Sequence, residues 1–467
     1  MSAAPESLLG YKFALCGHAL YGRPLPIAGE GWVTALDHEQ VELLAIGAGP
    51  SNLALAVAVE EMAPADFAEK TLIIEQHDNI VWQRGMMLPW TQSQVSFLKD
   101  LVTMRNPCSR FSFVNFLHST GTLHDFINMA SFLPFRLEIS NYLEWVAQSL
   151  SRVQVRYGRR CEQIEAIKSD DDQITGWLVR LSDGSAIAAR TLVIGAGRDP
   201  HIPEAFRDLP RERVIHSTEY SARISHLDPQ APHRIAVVGA AQSAAEMLWE
   251  THQRMPAAEC SMIMRAIGLE YYQTSKFTNE RYFPSFTDSF YAARPENRQR
   301  MLQEMRRTNY AGVTPDLLNT IYRQMYLERL TGTQRLRMVS AVDVASARVE
   351  GEDVVLDLVD RIGGLNDELR CDVVMLGTGF ERTLPALVRN IASLVGVEQF
   401  VVSRAYRAVM PPGVSANCYL QGTNEESHGI ADSLISVLAV RAGEIVNDLL
   451  ANRPAEQPLA AAAAVAG

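Results

Sequence analysis

The sequence predicts an α/β fold with two Rossmann-like dinucleotide-binding units, the second inserted in the first. Two strand–glycine turn–helix signals carry that expectation. The first is the apolar run Val41–Ile46 followed by Gly47-Ala48-Gly49-Pro50-Ser51-Asn52, and the second is Arg234–Val238 followed by Gly239-Ala240-Ala241-Gln242-Ser243-Ala244. A third observation is that two further apolar runs end in glycines: Thr191–Ile194 enters Gly195-Ala196-Gly197, and Asp372–Leu376 enters Gly377-Thr378-Gly379-Phe380.

Each part of the first turn has a mechanical purpose. Gly47 permits the tight turn, Gly49 lets the backbone approach a pyrophosphate, and the helix from Leu53 onward offers its N-terminal amides to the phosphate charge. Pro50 and Asn52 complete the turn, with Asn52 standing where the fingerprint has its third glycine. Glu75 ends the next apolar run, Leu72-Ile73-Ile74, where a carboxylate accepts bonds from an adenosine ribose. In the second turn, alanines occupy 240 and 241 where a glycine is expected. Arg265 follows the run Ser261–Met264, a place from which a guanidinium can hold a 2′-phosphate and select NADPH. The same residue also reads as a solvated strand-end charge.

Composition bounds the rest. At 467 residues the chain suggests two or three domains and a large core. Lys plus Arg is 43 against Asp plus Glu 54, a net charge of −11, and no basic block appears, which argues against nucleic acid or an anionic membrane as partner. The six cysteines are scattered with no CxxC, which removes a dithiol and gives no metal pattern. Together with an N-terminus lacking a signal-peptide pattern, and no apolar run of membrane-spanning length, this predicts a soluble cytoplasmic protein. Residues 1–40 read as an irregular extension and 452–467 as a disordered, alanine-rich tail.

The stretch Ser96–Leu101, followed by Arg105-Asn106-Pro107 and Phe111–Leu117, resembles the microbial N-hydroxylating flavoprotein monooxygenases of siderophore biosynthesis, which include ornithine N5- and lysine N6-hydroxylases. The resemblance runs from about residue 41 to about 450 and includes Gly47–Leu53, Gln242-Ser243-Ala244, Gly377–Phe380 and Ser427–Asp432. It implies an FAD domain from 41–228 and 371–451, and an NADPH domain over 229–370 with a helical substrate-binding insert at about 285–335.

It further implies roles for matching residues. Lys99 pairs with the substrate carboxylate, Asn279 bonds its α-substituents, Asn309 lies near the reacting amine and the nicotinamide, and Ser436 lines the same pocket. Trp82 and Gln94 hold the flavin region; Gly239, Gln242, Ser243, Arg265 and Gly379 complete the cofactor contacts. The chemistry is borne by the flavin, so no side chain is nominated as catalytic, and no metal is expected. Gln83 follows Trp82 where many relatives carry histidine. The activity implied is N-hydroxylation of the side-chain amine of L-ornithine, using FAD, NADPH and O2, in a homo-oligomer that the family makes a tetramer. L-lysine or a diamine is the alternative substrate. A non-catalytic FAD-binding regulator, a flavin sulfoxidase and a Baeyer–Villiger enzyme are the alternative classes. The Lys99, Asn279 and Asn309 set favours an amino-acid zwitterion over the last two.

Overall fold

Both predicted glycine turns lie where a strand ends and a helix begins. The computed structural model describes residues 38–272, 275–309 and 312–453, with side chains throughout except at 307–309. The expected extension therefore lies outside the described residues up to 37, and the expected tail does so from 454 onward.

The first sheet is built on Glu39–Ile46, whose last six residues are all buried, as a strand covered on both faces must be. It pairs in parallel with Thr71–Ile74 on one side and Ala186–Ile194 on the other. Gln154–Arg156 extends one edge in parallel. On the other side, Ala186–Ile194 divides its pairing: residues 186–189 take Ile174–Leu181 antiparallel, and 191–194 take Asn417–Leu420 in parallel. Cys161–Lys168 closes the antiparallel end. The helix Pro50–Met62 leaves the first turn with nine consecutive buried residues, and packs with Arg136–Ser149 and Leu438–Ala451 over one face of the sheet.

The second sheet is entirely parallel, in the order Leu336–Val339, Glu259–Ile263, Arg234–Val238, Val373–Leu376, Val214–His216. This moves the expected domain boundaries. The runs 214–216 and 373–376 were assigned by sequence to the first unit (41–228 and 371–451), yet Val374 pairs with both Ala236 and Val214 in the second sheet. The physical reason is that Val373–Leu376 pairs along one edge of Arg234–Val238 and Val214–His216 pairs beyond it, a choice of partner that no local pattern specifies. The chain crosses between units at 199–201 and 379–381, where His201 donates its amide to Gly379 O (3.0 Å) and Glu381 donates to Asp199 O (2.8 Å).

A three-stranded antiparallel sheet, Val342–Glu350, Asp353–Asp360 and Asn366–Cys371, flanks the second sheet and shares a core with it. The helical insert expected at about 285–335 is occupied by Pro284–Ala292, Pro295–Asn309 and Pro315–Thr331. Phe290, Leu302 and Met305 from its first two helices pack against Ile430, Ala431 and Val437. The third helix instead joins the core of the second sheet through Leu317 and Ile321.

Candidate cofactor and substrate site

At the first turn, Gly47 has φ +90°, a left-handed value that glycine adopts without strain. Its neighbour Ala48 donates its amide to Glu75 Oε2 (2.9 Å), so the predicted acidic residue already stands against the turn. Gly49 caps a helix with Pro50 at its first position, and a Cβ there would meet nothing nearer than Gly195 O at 4.0 Å. The backbone is thus open on the side where a side chain would project.

Asn52 explains how the turn dispenses with its third glycine. Its side chain is fully buried and donates to Ile46 O (3.0 Å) and Gly47 O (2.7 Å). The close approach is transferred to the neighbouring strand end, where a Cβ on Gly195 would lie 2.7 Å from the Asn52 carboxamide. The second turn repeats the device. Gly239, at φ +141°, begins it, and a Cβ on Gly377 would come within 2.5 Å of the Ala244 Cβ. Helix and sheet approach closely through a glycine on the adjacent strand, so alanines at 240, 241 and 244 are compatible with a formed helix from Gln242 to Arg254.

The loop carrying Lys99 is held by its neighbour. Asp100 is buried and accepts from the amides of Val102, Thr103 and Phe113 and from the Thr103 hydroxyl. Burial raises its pKa against these opposing bonds. This knot turns the chain so that Lys99 Nζ comes 3.5 Å from Ser436 Oγ, 337 residues away, and 5.9 Å from the centre of the Phe283 ring. No carboxylate pairs with Lys99 among the described residues, and burial lowers its pKa below the usual lysine range. A small pocket lies beside this loop, lined by Pro50, Phe97, Lys99, Asp100, Ile139 and Ile435 among others. A half-buried cation without a carboxylate partner, at a mainly apolar pocket, could take an anionic group.

The other predicted residues are placed as follows. Asn279 is half-buried at the end of a short helix, four residues before Phe283. Asn309 ends the helix Pro295–Asn309, and its side chain lies outside the described residues. Trp82 packs against the first core, and Gln83 after it takes a left-handed φ of +52°. Gln94 has a buried Nε2 with no partner among the described residues, a donor that a ligand carbonyl would satisfy. Gln242 accepts the Thr314 amide (2.8 Å), and Ser243 is half-buried beside it at the start of the same helix. Gly379, at φ +76°, gives its carbonyl to His201 N and to His216 Nε2. Arg265 is exposed just past the strand Glu259–Ile263, and its guanidinium has no acidic partner among the described residues.

Sequence reasoning missed several polar groups around the first turn. Gln421 donates to Asn52 Oδ1 (2.8 Å) while its own Oε1 is buried without a partner, as is Thr423 Oγ1. Arg441, fully buried, donates to Asp432 and to Ser51 Oγ (2.9 Å). The Gln421–Asn52 and Arg441–Ser51 pairs lie 369 and 390 residues apart in sequence, which leaves no local signal for them. His428 stacks on Tyr406 with ring centres 4.2 Å apart, and burial lowers its pKa to about 4, so the imidazole is neutral.

A family model described as L-lysine 6-monooxygenase/L-ornithine 5-monooxygenase matches residues 39–382. The L-ornithine N(5)-monooxygenase of Burkholderia cepacia is 38% identical, over 83% of this chain and 89% of that protein. The solved ornithine hydroxylase of Pseudomonas aeruginosa superposes with a TM-score of 0.82 at 36% identity, covering 88% of this chain and 99% of that one. An ornithine N-hydroxylase from Kutzneria sp. 744, solved with reduced FAD, NADP+ and L-ornithine, gives 0.81 at 32% identity, covering 89% and 100%.

Proposed function

The chain belongs to the L-lysine 6-monooxygenase/L-ornithine 5-monooxygenase family, and from that premise we propose that it hydroxylates the side-chain amine of L-ornithine, using FAD, NADPH and O2. The observation that carries the substrate reading is Lys99, a cation without a carboxylate partner among the described residues, held 3.5 Å from Ser436 at the mainly apolar pocket. In the balanced reaction, the amine, O2, NADPH and a proton give the hydroxylamine, water and NADP+.

The residues fit both cofactors. Gly47, Gly49, Pro50, Asn52 and Glu75 would hold the adenosine diphosphate of FAD, with Trp82 and Gln94 toward its ring system. Gly239, Gln242, Ser243, Arg265 and Gly379 would hold NADPH. When bound, the flavin supplies the activated oxygen and the nicotinamide the reducing equivalents. The chain's own residues bind and orient. The Lys99 ammonium takes the α-carboxylate, with Ser436 beside it, and family likeness gives Asn279 and Asn309 further contacts to the amino acid. The side-chain amine must arrive neutral, because an ammonium has no lone pair. An apolar lining disfavours its charged form and so lowers its pKa from the free value near 10.4. Family likeness also supports a homo-oligomer working in the cytoplasm.

Two ends fixed at once make the pocket a ruler. An extra methylene in a tight site costs about 1–3 kcal/mol, and here it also displaces the nitrogen. Assaying hydroxylamine formed per NADPH with ornithine, lysine and putrescine tests the assignment. Ornithine is expected to couple best, lysine to stimulate NADPH oxidation more than its own hydroxylation, and putrescine to leave Lys99 unpaired. Equal coupling with lysine or putrescine overturns the ornithine reading.

Arg265 is expected to set coenzyme preference. A charge-assisted contact to the 2′-phosphate contributes about 1.5–3 kcal/mol, roughly ten- to a hundredfold between NADPH and NADH. In Arg265→Ala the ratio of kcat/KM for the two nucleotides should fall by that factor. An unchanged ratio means another residue reads the phosphate.

A further inference from the structure

One face of the helix Gln242–Arg254 carries polar residues at 242, 246 and 250, a spacing of four that puts them in one row. All three are engaged. Gln242, at the end nearest the second glycine turn, accepts the Thr314 amide and donates to Glu246 Oε1 (2.9 Å). Glu246 takes both ends of the Arg136 fork, at 2.6 and 2.8 Å. Glu250 accepts from the Trp90 indole (2.7 Å). Arg136 and Trp90 both belong to the first unit. Arg136 opens the helix Arg136–Ser149 and also donates to Met86 O (3.0 Å).

The segment 84–90 is seated on the second unit through Gly85, Met86, Leu88 and Trp90. A Cβ on Gly85 would lie 2.1 Å from the Thr218 backbone, so no side chain fits there. Ser221 donates to Gly85 O (2.8 Å), and Met86 and Leu88 are buried in the hydrophobic core of the second sheet. Its two ends lead directly to Trp82 and Gln94, the residues assigned to the flavin region. The Arg136–Glu246 pair, with side chains 7% and 1% exposed, is therefore buried between the two cofactor units.

We infer that Arg136 and Glu246 are positioning residues for hydride transfer. Their buried fork, continued through Gln242 to the second glycine turn and through Met86 to the 84–90 segment, fixes the register of the nicotinamide-binding unit against the flavin-binding unit. The inference rests on the flavin–nicotinamide reading of the two turns, but not on the identity of the amine. A single substitution leaves one buried charge unpaired and risks the fold, whereas replacing both partners by apolar residues of similar volume is tolerated. The deciding variant is therefore Arg136→Met with Glu246→Leu, with Arg136→Lys as the conservative partner that keeps the charge and loses the fork.

The measurement is the anaerobic rate of flavin reduction at saturating NADPH, without amino acid, by rapid mixing. Because small displacements of reacting groups cost up to about a hundredfold, the double variant is expected to reduce its flavin roughly ten- to a hundredfold more slowly. Arg136→Lys should fall between it and the parent. FAD content and the KM for ornithine should stay close to those of the parent, a split that general destabilisation does not produce. A folded, FAD-loaded double variant that reduces at the parent rate overturns the inference. If that variant does not fold, Arg136→Lys decides by the same rate: slower supports the inference and unchanged overturns it. Parent enzyme that reduces normally but forms no hydroxylamine from ornithine defeats the substrate reading alone.

Discussion

Lys99→Ala is expected to raise the KM for ornithine by roughly 30- to 150-fold, the consequence of losing about 2–3 kcal/mol when one partner of a desolvated charge pair is truncated. The lower part of the usual range applies because Lys99 is only half-buried. Flavin reduction by NADPH should change little, since the ammonium touches neither glycine turn, and more of the NADPH consumed should end as peroxide. The pH dependence has a definite sign. Burial holds the Lys99 pKa below the ordinary lysine value in the free protein, and a bound carboxylate favours the charged form and raises it again. Amino-acid binding then takes up a proton whenever the pH exceeds the free-protein value, so affinity falls as pH rises through it. The KM for ornithine should rise at alkaline pH in the parent protein, and that limb should be absent in Lys99→Ala. An unchanged KM in the variant makes Lys99 a structural residue.

The legible parts of this molecule are those whose physics is local. The strand Arg234–Val238 and the start of its helix at Gln242 coincide with their sequence signals, because an apolar strand, a glycine and a helix in order occupy a dozen residues. Lys99 stood out for the apolar company of Phe97 and Leu98, and its meeting with Ser436 entered only through family likeness. The domain boundaries were illegible for a topological reason. The runs Val214–His216 and Val373–Leu376 look like strands in the sequence, but nothing local says which sheet they join, and pairing across more than 130 residues decides it. The Asn52 substitution is the same kind of case. Read alone it weakens the fingerprint; beside Gly195 and Gln421 it is a polar wedge that closes the same gap.

Gly49 separates the demands of the fold from those of the ligand. A Cβ on Gly47 would be 3.1 Å from Gly195 O at a left-handed φ, so substitution there strains the backbone whether or not FAD is present. At Gly49 the φ is −72°, which any residue adopts, and the nearest atom to an added Cβ is 4.0 Å away. The protein itself tolerates a side chain at that position, as a helix N-cap outside the core packing. A pyrophosphate does not, because it must reach the amides at the start of the helix Pro50–Met62 through the same space. Gly49→Val is therefore expected to fold with a thermal midpoint near that of the apo-protein, and to bind FAD at least about a hundredfold more weakly, a loss of roughly 3 kcal/mol. Flavin absorbance per chain after reconstitution, beside circular dichroism of the same sample, reads both quantities. Normal flavin occupancy in a folded Gly49→Val protein would remove this turn as the pyrophosphate site and, with it, the assignment of the first unit to FAD.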